Sequence, residues 1–76
     1  MAELLEYLAR QLVDHPEAVR VEQFDEDGSI VLKLDVADDD VGKVIGRQGK
    51  TARALRTVLR ASAGAEGRRV VLEIAD

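Results

Sequence analysis

"VGKVIGRQGKTARALR", residues 41–56, is the stretch on which the reading of the whole chain turns. Its centre, Gly46-Arg47-Gln48-Gly49-Lys50-Thr51, ends as a nucleotide-binding P-loop ends, in Gly-Lys-Thr. A P-loop needs an earlier glycine five positions before Gly49, and that position holds Val44. It also follows a strand, whereas the residues before Gly46 have helical spacing. Nucleotide hydrolysis by this loop is therefore excluded. What remains is Gly-x-x-Gly set between an apolar pair, Val44-Ile45, and a second helix whose Ala52 and Leu55 recur at helical spacing.

Charge singles out the same region. The net charge is −4, but residues 1–40 carry three basic and twelve acidic side chains. Residues 41–60 carry Lys43, Arg47, Lys50, Arg53, Arg56 and Arg60 with no acid among them. Such asymmetry says more about partners than the total does. It places an anionic partner at the Gly-x-x-Gly segment and discourages one elsewhere.

Working outward, Leu4, Leu5, Leu8 and Leu12 predict an amphipathic helix with Tyr7 beside its stripe, stopping near Asp14-His15 because Pro16 follows. Residues 18–24 read as extended, and Asp27-Gly28 is a tight-turn signal, so a hairpin is expected. Ile30, Leu32, Leu34 and Val36 share one face of its second strand. Val31, Lys33 and Asp35, with Val71 and Glu73 of a last strand, belong to the more exposed face. Asp38-Asp39-Asp40 is expected to cap a short helix over Val41–Ile45. A helix from Lys50 to about Ala63 should turn Ala52, Leu55, Val58, Leu59 and Ser62 inward, and Val70, Leu72 and Ile74 alternate as the final strand. The expected fold is α+β, a single domain over residues 1–76, with a three-stranded sheet covered by three helices on one face.

The composition excludes several functions. There is no cysteine, one histidine and no apolar run near the roughly 20 residues of a membrane span. His15 reads as a helix-end residue, and no metal site is expected. No nucleophile has a histidine partner, so no catalytic residue or cofactor is expected either. With no signal-peptide pattern, the expected location is cytoplasmic. Tyr7 and Phe24 are the only aromatics, which disfavours modules that stack bases on several rings.

Glycines at 46 and 49 let main chain approach a ligand closely, and the following helix presents its positive end to the same space. Arg47 and Lys50 add charge there, and Val41, Val44 and Ile45 offer an apolar wall. The segment resembles the KH domain, whose hallmark is Ile-Gly-x-x-Gly between two helices, and the element order resembles its type II form. With the small size and opening helix, "GKVIGRQGKTARALR" resembles the KhpA family of small bacterial KH proteins. Ala52 departs from the Ile or Leu of many KH domains.

The resemblance implies single-stranded RNA clamped over about four nucleotides. Val41, Lys43, Val44, Ile45, Gly46, Arg47, Gln48, Gly49, Lys50 and Arg53 form the expected contact set. It further implies an RNA chaperone or post-transcriptional regulator linked to cell elongation and envelope growth. Self-association, or pairing with a larger KhpB (Jag)-type KH protein, is implied as well. The alternative is a KH-fold docking or dimerisation module, ribosome-associated or bound to such a partner, with little RNA binding of its own.

Overall fold

A computed structural model describes residues 1–64 and 67–75. In chain order it contains α1 (Ala2–Leu12), a 3₁₀ turn (Pro16–Ala18), β1 (Arg20–Glu26), β2 (Ser29–Asp35) and a second 3₁₀ turn (Asp38–Asp40). Then come α2 (Val41–Ile45), a third 3₁₀ turn (Arg47–Gly49), α3 (Lys50–Gly64) and β3 (Arg69–Ile74). The α+β architecture expected from the sequence is the one found.

Asp27 and Gly28 both take positive φ, 49° and 81°, the conformation a two-residue hairpin turn demands. Glu26 then pairs with Ser29, and the antiparallel ladder runs back to Arg20 opposite Asp35. So short a loop carries β1 as far as Glu26, two residues beyond the expected stretch. The last strand lies parallel to β2, with Ser29 opposite Arg69 and Leu34 opposite Ile74. Parallel neighbours need a long crossover. The two helices and the loop between them are that crossover, so the Gly-x-x-Gly segment sits within the link joining the two strands. The sheet order β1-β2-β3 leaves β3 as a free edge.

Ile30, Leu32 and Leu34 project into a core completed by Leu5 and Ala9 of α1, Val44 of α2, and Leu55, Leu59 and Ala63 of α3. In α3 the buried positions are Ala52, Leu55, Leu59 and Ala63. Val58 and Ser62, expected inward, are exposed. Steps of three and four residues from Ala52 define one narrow stripe, and Val58 and Ser62 fall beside it. Ala52 in turn is buried, so its small side chain seats the start of α3 close to its neighbours.

Val31 departs from expectation in the other direction. It lies on the outer face but is only 9% exposed, because Phe24 and Val71 sit beside it in register on the flanking strands. The first helix also ends earlier than expected, at Leu12, with Val13 extended at φ −98° and ψ 162°.

Truncation of Leu59 to alanine should cost about 2–5 kcal/mol, because the side chain is fully enclosed. The neighbouring Val58→Ala should cost less than about 1 kcal/mol. Urea titrations of both variants measure the contrast.

Candidate nucleic-acid interface

The functional candidate begins where α2 ends. Gly46 has φ 77° and ψ 171°, and a Cβ at this position would lie 2.7 Å from Thr51 Cβ and 2.8 Å from Thr51 N, with Thr51 Oγ1 nearer still. Glycine is therefore required twice over here, by dihedral and by space. Gln48 (φ 57°) and Gly49 (φ 75°) continue in the left-handed region. The Gly46 N–H donates to Gly42 O at 2.8 Å, and the Gly49 N–H donates to Gly46 O at 3.1 Å. Each bond closes a turn of a short loop that leads directly into α3. The Lys50 N–H that opens this 15-residue helix donates to Arg47 O of the preceding turn, and the helix directs its positive dipole end at the loop.

Arg47, Gln48, Lys50 and Arg53 are all exposed around this end. Val41 and Ile45 are half-buried and flank them. Two expected members of the contact set are placed elsewhere. Val44 has no exposed surface and belongs to the core, so it forms no part of an apolar wall. It is the fully buried residue of α2 and anchors that helix in the core beside α3 and α1.

Lys43 is turned away from the loop. Its ammonium pairs with the Asp14 carboxylate and lies 3.6 Å from Asp40 Oδ1. Hydrogen bonding to Asp14 raises the Lys43 pKa above its ordinary value, against the opposing effect of burial, and the nearby Asp40 adds to the rise. Asp40 itself departs from the expected helix cap. It makes no side-chain bond to the start of α2. Instead its Oδ1 accepts the Asp14 N–H at 3.1 Å and its Oδ2 accepts the His15 N–H at 3.0 Å. The side chain has no solvent exposure. Burial alone would push its pKa up. The two backbone donors, with the His15 ring and Lys43 nearby, outweigh burial and hold it below the ordinary carboxylate range. Thus α1 stops at Leu12 because the next N–H groups belong to Asp40. The His15 ring lies 3.7 Å from Glu17 and 3.9 Å from Asp39 across an exposed surface. No group of acidic and imidazole side chains suited to a metal ion is found among the described residues.

A concavity of about 620 Å³ lies between α3 and β3. Arg56 and Arg60 form its helix wall, and Arg68, Arg69, Val70 and Leu72 form its strand wall. Arg56 and Arg60 were legible as surface positions of α3, since with Arg53 they recur at helical spacing. Arg68 and Arg69 were not, because only the parallel pairing of β3 brings them beside α3. Arg68 is already paired, its Nη2 2.9 Å from Asp25 Oδ1. A second, smaller hollow of about 280 Å³ opens between α1 and α3, lined by Leu8, Leu12, Ala54, Leu55 and Val58 with Gln11 and Thr51 at its margin.

The family model described as the KhpA/KhpB KH domain matches residues 2–74. The chain belongs to this KH-domain family. Among relatives named RNA-binding protein KhpA, that of Treponema pallidum is 54% identical over 74 residues, 97% of this chain and 92% of its own. The Halalkalibacterium halodurans protein is 51% identical over 76 residues, the whole of both chains. That of Clostridium acetobutylicum is 51% identical over 74 residues, 97% of this chain and 99% of its own. The solved structures that match include an Aquifex aeolicus Era variant bound to GDP·AlF4−, and Era in complex with MgGDPNP and nucleotides 1506–1542 of 16S ribosomal RNA. Each superposes with a TM-score of 0.62 at 22% identity, covering 96% of this chain but 28% of the Era chain. That likeness concerns the KH fold, and the Era chain is more than three times as long.

Within this KH fold, Gly46→Ala should destabilise by about 1–3 kcal/mol, because Thr51 must move and φ is unfavourable. Gly49→Ala meets no neighbouring atom and pays only for φ, so it should cost less. Asp40→Asn should lower Tm by more than the same change at the exposed Asp38 or Asp39. The pH dependence of Asp40 has a definite sign. Its folded pKa lies below the ordinary 3.8, so its contribution is fully present above about pH 4 and is lost as pH falls through the lower folded value. Unfolding curves recorded between about pH 2 and 6 should therefore show a shallower acid decline for Asp40→Asn than for the parent protein.

Proposed function

We propose that this protein is a non-catalytic, single-stranded RNA-binding protein of the cytoplasm that holds the sugar-phosphate backbone on the Gly46–Gly49 loop and the start of α3. The observation that carries this reading is the Gly46–Thr51 approach. It forces a glycine, and so exposes main chain, where Arg47, Lys50 and Arg53 converge on a positive helix end. The relatives named RNA-binding protein KhpA support the same reading. Gly46 and Gly49 allow close approach, Arg47 and Lys50 neutralise phosphates, Gln48 donates or accepts at the sugar, and Val41 and Ile45 give bases a partly apolar border. Lys43 serves as the counter-ion of Asp40 and Asp14 rather than as a phosphate ligand. We infer a role as an RNA chaperone or post-transcriptional regulator connected with cell elongation and envelope growth.

Pairing with a second KH protein is compatible with this role. The apolar hollow between α1 and α3 lies away from the arginine-lined groove on the other flank of α3. A further copy of this chain, or a KhpB (Jag)-type partner, seated on that hollow would leave the groove open. No helix among the described residues is long and apolar enough to cross a membrane.

Three phosphates neutralised on a single strand give a salt slope near −2. Changing Arg47 and Gln48 together to Asp should abolish binding to an unpaired RNA oligomer in anisotropy titrations while circular dichroism stays unchanged. Arg47→Ala should reduce the slope of log K against log salt by about 0.7. Lys43→Met should leave that slope unaltered, since its charge is already committed to two carboxylates. Undiminished RNA affinity in the double Asp variant would remove the loop from the binding site.

A further inference from the structure

We propose that the free edge of β1 takes an extended basic segment of another protein as an added antiparallel strand of the sheet. The hairpin fixes which backbone groups that edge offers. Its two-residue turn makes Glu26 and Ser29 a hydrogen-bonded pair, so the even-numbered residues of β1 bond to β2. The Ala75 N–H donates to Leu34 O, which directs the even-numbered residues of β2 to β3 and agrees with this alternation. The N–H and C=O groups of Val21, Gln23 and Asp25 therefore point away from the sheet. Val21 at the start of β1 packs against the core, whereas Gln23 and Asp25 beyond it are exposed.

The outer face of the same strand sets the chemistry of the partner. Glu22, Phe24 and Glu26 alternate along it, and all are exposed. Phe24 is 43% exposed, a large apolar ring on an acidic strand. Among the described residues no ammonium or guanidinium pairs with Glu22 or Glu26. Arg20, the one cation of β1, instead donates to Glu17 O at 3.0 Å and to Val19 O at 2.8 Å. Lys33 stands opposite Glu22 in register, but Glu73 flanks it on the other side, so one ammonium lies between two carboxylates. The Asp25 charge is already held by Arg68. What remains is two carboxylates with a ring between them, beside a row of open backbone donors and acceptors.

An antiparallel strand bonded to Val21, Gln23 and Asp25 sets its other residues opposite Glu22, Phe24 and Glu26. Those are the closely spaced, non-hydrogen-bonded positions, where opposite charges and apolar pairs each stabilise a sheet. The segment that fits alternates Lys or Arg, an aliphatic or aromatic residue, and Lys or Arg. Main-chain bonds supply affinity, and the alternate side chains supply selectivity. A second copy fits poorly, because its β1 brings the same two carboxylates and an arginine already committed to its own chain. The charge that keeps copies apart at an exposed edge thus selects a basic strand. β2 separates this edge from the groove on β3, so the site is independent of RNA binding.

The probe is a fluorescent peptide, Thr-Lys-Thr-Ile-Thr-Arg-Thr, titrated against the full chain by anisotropy in dilute buffer, with amide exchange followed by NMR. Binding should protect the Val21, Gln23 and Asp25 amides and leave those of Glu22 and Phe24, bonded within the sheet, unchanged. N-methylation of the threonines flanking isoleucine removes donors aimed at β1 and should abolish binding. N-methylation of the isoleucine should not. Glu22→Lys with Glu26→Lys, checked by circular dichroism, should weaken binding about tenfold. The same variant should bind Thr-Glu-Thr-Ile-Thr-Glu-Thr, which the parent protein rejects. Absence of binding, exchange protection elsewhere, or equal affinity of the two N-methylated peptides overturns the proposal. Protection of the same amides by raising protein concentration alone assigns the edge to a second copy and overturns it too.

Discussion

The buried Asp40 carboxylate is the constraint from which the geometry of the site follows. It has no solvent exposure and would be costly in the interior without partners. Its partners are main-chain N–H groups of Asp14 and His15, some 25 residues earlier in the chain. That pair of bonds terminates α1, turns the chain toward β1, and pins the residue directly before α2. A five-residue helix cannot hold its own position, since helices this short have little intrinsic stability. α2 is fixed at one end by Asp40, in the middle by Val44, and at the other end by the Gly46–Thr51 contact. The loop therefore enters α3 in a single orientation.

The same constraint decides which positive charges are available. The basic run from Lys43 to Arg60 is one uninterrupted block in the sequence. In three dimensions it divides into parts with different tasks. Lys43 pairs with the Asp14 carboxylate and lies beside the buried Asp40, and the Asp14 hydrogen bond raises its pKa. Arg47, Lys50 and Arg53 surround the loop, while Arg56 and Arg60 turn to the groove along β3. The acidic first forty residues supply Asp14, Asp25 and Asp40 as internal partners, and their remaining charge repels polyanions from the other surfaces.

Periodicity and turn chemistry made the α+β order legible. Asp27-Gly28 marked the hairpin, alternation in residues 30–36 marked the buried face of β2, and the Gly-x-x-Gly flanks marked two helices. Local rules failed where a distant group intervened. Proline preference put the end of α1 near His15, but Asp40 withdraws the Asp14 and His15 N–H groups. An aspartate before a helix reads as a cap, yet this one bonds across the fold. Val44 looked available beside the loop, but holding α2 to the core requires it. The Lys43–Asp14 pair and the meeting of Arg60 and Arg69 at one concavity depend on tertiary proximity, which spacing in one chain does not encode. The Gly-x-x-Gly segment was legible for the opposite reason: its shape rests on main-chain dihedrals, and only glycine satisfies both them and the space at Gly46.

A domain of this size has few side chains to devote to binding, because most apolar residues are needed for one small core. The chain resolves this by using the same elements for both purposes. One stripe of α3, from Ala52 to Ala63, closes the core, while a neighbouring stripe carries Arg53, Arg56 and Arg60. β3 completes the sheet with one edge and lines the groove with the other. The crossover that a parallel strand requires also carries the Gly-x-x-Gly loop. Because these roles share a framework, the groove along β3 and the Gly-x-x-Gly loop are held at a fixed separation. A flexible basic tail of equal charge would attract a polyanion, but it could not hold two binding surfaces at a set spacing.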